Sequence, residues 1–215
     1  MVTLTPMAPK VQILTHLTNA YTEQARLVRR IVNYSGTEYR PSHILFDAGD
    51  YATDPNVLDE FRDIAFYWNR DRPKDRVPAH VRDLMDDESC SHLIWLSRRA
   101  LDEENILFVW IVAHELRHLY QATHTFSRET LRKSASELRR RLEFRNLPSG
   151  PLSVAELDCD LFAMRVAKNL FGVNLVATFL AQKVLPRCPF QSYARFLESL
   201  EQATTGSAAD RHDAD

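Results

Sequence analysis

The sequence predicts an α+β protein that is mainly helical and carries a small sheet. Three observations lead there. Apolar residues recur at helical spacing over most of the second half of the chain. Two short runs, HILFDA (43–48) and SHLIWLS (91–97), are dense in β-favouring residues and bounded by turn formers. The apolar run ILFVWIVA (106–113) follows the second of these and enters a long helix.

Taken in order, residues 9–34 place Leu14, Leu17, Tyr21, Val28, Ile31 and Val32 at helical spacing ahead of Gly36, which predicts a helix. HILFDA is the first strand, between Pro41 and Gly49. Residues 55–70 begin with Pro55 after Asp54 and align Val57, Leu58, Phe61, Ile64, Ala65 and Trp68, so a second helix is expected there. A polar, proline-bearing connection (70–78) and a short helix to about Met85 precede the strand SHLIWLS. A long helix is expected over 102–122 and a highly charged one over 127–146, stopped by LPSGP. Ser153 starts a helix that ends at Phe171, with Gly172 in the position just past the end. Two last helices, 173–185 and 190–203, are separated by Pro186 and Pro189. The expected organisation is one domain over 1–203, with its metal motifs within 92–172, and a disordered tail over 204–215.

Composition narrows the function. With 5 glycines in 215 residues and neither a G-x-x-x-x-G-K-[ST] nor a G-x-G-x-x-G pattern, a glycine-rich phosphate loop is not expected. A formal net charge of −2 argues against a general nucleic-acid binder. The amino terminus lacks the basic-then-apolar pattern of a secretory signal, and no apolar stretch is long enough to span a membrane. Cys90, Cys159 and Cys188 are sparse, odd in number and form no C-x-x-C, which fits free thiols in a reducing, cytoplasmic setting.

The chemistry concentrates in IVAHELRHLYQATH (111–124). His114 and His118 lie one helical turn apart on one face, so two imidazoles can reach one zinc ion. Glu115, rotated by one residue, falls beside the ion, where it can take a proton from water activated there. Two residues compete as third ligand. His124 stands six positions after His118, the H-E-x-x-H-x-x-G-x-x-H spacing, but the turn-forming glycine is replaced by Gln121 and Met164 lies in a helical pattern rather than a methionine turn. Glu156, in SVAELDCDLFA, opens a later helix and would complete a His₂Glu set, with Asp160 one turn on to accept the free N–H of a ligating imidazole. The plainer account of Glu156 is a capping box with Ser153; Asp158 faces elsewhere and is the lesser candidate.

H114-E-L-R-H118 followed by E156-L-D-C-D160-L-F-A resembles the gluzincin metallopeptidases, nearest to the ImmA/IrrE-type proteins and to prokaryotic or phage HELRH metallopeptidases of unassigned role. The resemblance covers about residues 92–172 and departs from the family pattern at Arg117, at Cys159 and in the long step between the motifs. It implies a zincin-like fold, with the small sheet packed on the H-E-x-x-H helix. It also implies zinc on His114, His118 and Glu156, Glu115 as general base, and a polypeptide substrate, such as one specific regulatory protein.

Two rival readings stay open. One is a non-catalytic zincin-fold interaction domain, its partner surface the basic helix 127–146, where seven basic side chains in 128–145 face three acidic ones. The other is a structural zinc site closed by His124, with no open position for water.

Overall fold

The structure is a computed structural model that describes residues 11–17, 20–51, 54, 56–72, 74–124, 129–141, 154–182 and 190–209. Among them the chain is α+β and mainly helical, with one four-stranded sheet. It divides into two compact units, Met1–Ala122 and Thr123–Asp215.

The first unit holds the sheet. Its strands are β1 (Gln12–His16), β2 (His43–Asp47), β3 (Ala65–Asn69) and β4 (His92–Ser97), in the order β1-β2-β4-β3. β1, β2 and β4 run parallel, and β3 runs antiparallel to β4. A parallel neighbour requires a crossover, and α1 (Thr22–Ser35) supplies the one between β1 and β2. The two predicted strands are the two central ones, β2 and β4. Both are buried nearly throughout, which is why they read as continuous apolar runs.

Two expectations are corrected here. The helix predicted over 9–34 is a strand, β1, followed by α1; only the part from Thr22 is helical. The helix predicted over 55–70 is a 3₁₀ turn (Asp59–Arg62) followed by β3. AFYWN is buried on both faces of the sheet, so its apolar residues show no period-2 alternation. A short run of that kind cannot be told from a helix by periodicity. The choice falls to the antiparallel pairing with β4, which sets Phe66 against Trp95 and Trp68 against Leu93.

One face of the sheet carries Leu45, Phe66, Trp68, Leu93 and Trp95. It is covered by Val57, Phe61 and Val77 and by Val81 and Met85 of α2 (Ala79–Asp86). Phe61 packs edge-on to Phe66 and to Trp95, at centroid distances of 4.9 and 5.2 Å. The opposite face presents Phe46 edge-on to Phe108 of α4 (Asn105–Thr123). Between β4 and α4 lies the single turn α3 (Arg98–Leu101), capped by the Ser97 side chain, which accepts from the Ala100 N–H.

In the second unit, α5 (Glu129–Arg140) turns Leu131, Ala135 and Leu138 inward while Glu129 pairs with Arg132 and Lys133 on the outside. α6 (Val154–Phe171) ends at Gly172, whose φ of 87° and N–H bond to the Lys168 carbonyl make it the predicted helix stop. α7 (Val173–Gln182) and α8 (Phe190–Ala209) follow. α8 continues to Ala209, so residues 204–209 are helical rather than part of a disordered tail; 210–215 lie outside the described residues. Glu201 of α8 receives Arg165 and Lys168 of α6, tying those two helices by ion pairs at 2.9 and 3.3 Å. Ser153, Cys188, Arg128 and Arg145 also lie outside the described residues, and the capping-box reading of Ser153 with them. Among the described residues no helix is long and apolar enough to cross a membrane.

Candidate metal centre on the HExxH helix

α4 is helical because its first half is an uninterrupted apolar run that buries itself on almost every side, from Phe108 to Ala113. That burial holds the polar second half in place. His114 and His118 emerge half-buried on one face, and their Nε2 atoms stand 3.1 Å apart with the rings inclined by 70°. Two zinc–nitrogen bonds of ~2.0–2.1 Å at a near-tetrahedral angle hold their nitrogens about 3.3 Å apart. The pair therefore fits two ligands of one ion; without an ion, one ring donates to the other. Glu115 is buried at 9% exposure, unusual for a carboxylate and expected only where it has a partner or a task.

Arg117, the charge inside the motif, is accounted for. Its guanidinium lies over the Tyr120 ring at 4.4 Å and donates to the Tyr39 hydroxyl, and the two tyrosine rings stack at 4.9 Å. Nothing in the sequence pairs Tyr39 with this helix, 78 residues away, because the approach depends on the chain's path after α1.

α4 stays helical past Gln121 to Thr123, so the sharp turn that a glycine would make at that position is not made. His124 is exposed, and its Nδ1 is bonded to the Thr123 hydroxyl at 2.9 Å.

Glu156, Cys159 and Asp160 occupy one face of α6 at spacings of three and four residues. Glu156 is half-buried in the first turn, Cys159 is fully buried and in no disulfide, and Asp158 is buried on a different side. Asp160 accepts a short hydrogen bond from the Tyr193 hydroxyl of α8. Burial first, then the charge and hydrogen bond of Asp160, push the Tyr193 phenol far above its ordinary pKa. Tyr193 was not legible in the sequence, since the pairing of α6 with α8 rests on tertiary packing.

Compared with protein-family models, with curated proteins and with solved structures, the chain matches none.

Proposed function

We propose that the chain is a zinc-dependent metallopeptidase. The observation that carries this reading is the 3.1 Å approach of the two motif imidazoles beside a buried Glu115. His114 and His118 would hold the metal, with Glu156 of α6 as third ligand. Zinc bound there supplies a Lewis acid that polarises a carbonyl and acidifies water.

The chain's own residues supply the proton transfers. Glu115 takes a proton from the attacking water and passes it to the leaving amine. Asp160, oriented by Tyr193, is the candidate to accept an imidazole N–H and hold the tautomer. The substrate class is a polypeptide, and the resemblance of the two motifs to intracellular gluzincins favours a specific regulatory protein.

Cys159 is the competing third ligand, because it shares the Glu156 face and a thiolate binds zinc well. Metal analysis of Glu156→Ala, Cys159→Ser and His124→Ala beside the parent chain decides among them: the true ligand is the one whose loss depletes zinc. Glu115→Gln is expected to keep the metal and to lower peptide hydrolysis by about 10²–10⁴-fold. Equal hydrolysis by Glu115→Gln and the parent chain would rule out the enzyme reading and leave a non-catalytic metal domain.

A further inference from the structure

We propose that His16, Asp47 and His80 form a second binding site, for a first-row transition-metal dication, on the face of the sheet opposite α4.

The register of the sheet builds it. His16, Asp47 and Ser97 are the last residues of β1, β2 and β4 and stand side by side across three parallel strands. Alternation along each strand puts them on the face that carries Leu45 and Trp95, the face that α2 covers. α2 brings His80 to the same end. The ligand atoms of His16, Asp47 and His80 all lie within 4.8 Å of one another. Phe46, one residue before Asp47, points the other way and meets α4, so the sheet separates this group from His114 and His118.

Asp47 is fully buried and its carboxylate is held on both oxygens. Oδ1 accepts from the Gly49 N–H at 2.9 Å; Oδ2 accepts from Trp95 Nε1 at 2.9 Å and from the Tyr51 hydroxyl at 3.0 Å. His80 Nε2 lies 2.8 Å from Oδ2. Gly49 is needed for this arrangement, because a Cβ there would stand 2.3 Å from the Tyr51 hydroxyl. Donors that fix a carboxylate in this way are what a ligating aspartate requires. An ion would replace the proton between His80 and Asp47 and leave the other three donors in place.

His16 separates a metal site from a purely structural hub. A hub explains Asp47 and His80. It does not explain a third group, a half-buried histidine at the end of an edge strand whose one aromatic contact among the described residues is stacking on His80, with centroids 3.6 Å apart and planes 8° from parallel. Imidazole lone pairs lie in the ring plane, so one ring must turn to share an ion with the other. Among the described residues the His16 ring makes no hydrogen bond that would resist the turn. Two imidazoles and one carboxylate select zinc, cobalt, nickel or iron over magnesium or calcium.

The test uses Co²⁺ alone as probe and the full chain carrying His114→Ala and His118→Ala, so that the α4 pair contributes nothing. This background is expected to bind about one equivalent, and adding His16→Ala or His80→Gln is expected to weaken binding by at least ~10-fold. Diffraction from the unsubstituted chain with Co²⁺ should place an anomalous peak at ~2.0–2.2 Å from ligand atoms of all three residues. A background that is folded yet binds no Co²⁺, a His16→Ala change without effect, or anomalous density absent from this group would overturn the proposal. None of these results bears on zinc at the α4 pair, which is counted in the unsubstituted chain.

Discussion

The Arg117 guanidinium lies 4.4 Å over the Tyr120 ring, three residues along α4, and its hydrogen bond to Tyr39 anchors the outer side of the motif helix to the segment after α1. Arg117→Ala is expected to lower unfolding free energy by about 1–2 kcal/mol, since it removes a partly desolvated cation–π contact. Arg117→Lys should recover only part, because an ammonium keeps the charge and loses the planar stack. Chemical denaturation of the three proteins checks this.

The His114–His118 pair predicts a stability linked to metal. Zinc at 100-fold over its Kd stabilises a folded protein by about 2.7 kcal/mol per site. His118→Ala should forfeit one such share, and EDTA should bring the parent chain and the variant closer together. Melting curves with and without zinc read the difference.

Asp160 and Tyr193 form a bond between α6 and α8 that only the folded second unit makes. Tyr193→Phe keeps the ring and removes the hydroxyl, which should cost about 1–3 kcal/mol as the carboxylate loses this hydrogen bond. If Asp160 orients a ligating imidazole, Asp160→Asn should also weaken zinc binding about 10–100-fold, an effect a merely structural bond would not produce. Zinc titration separates the two roles.

Stability should fall on both sides of neutrality for identifiable reasons. Burial holds the His43 and His92 imidazoles below their ordinary pKa of 6.5, so their share of stability is complete above that pH and is lost as pH falls. His43 is 2% exposed and its Nδ1 has no hydrogen-bond partner among the described residues, so protonating it is costly. On the alkaline side, burial pushes the Tyr67 phenol up to about 12 from 10, so its share is complete below pH 10 and is lost toward 12. His43→Gln should flatten the acid limb and Tyr67→Phe the alkaline one in denaturation measured across pH.

Gly49→Ala should destabilise the first unit, because the added carbon meets the Tyr51 hydroxyl, whose ring packs edge-on to Phe61 and cannot simply swing away. A loss of about 1–3 kcal/mol is expected, with Tyr51→Phe in the same background recovering part of it. Thermal melts of the single and double variants decide.

Much of this protein was legible in one dimension. Long helices declare themselves by the 3.6-residue period, and α4, α5 and α6 fall where that period places them. β2 and β4 are legible because their apolar runs are short and bounded by turn formers. The i, i+4 spacing alone put His114 and His118 on one face, because helix geometry is local. β1 and β3 were not legible, since QILTH and AFYWN are strands only by virtue of the neighbours they pair with. The same holds for Tyr39 under Arg117, for Tyr193 on Asp160, and for His16, Asp47 and His80, which come from two strands and a helix. Spacing along a single element is a local property that the sequence determines by itself. Which elements become neighbours depends on the burial and pairing of the whole chain, and only the tertiary structure decides it.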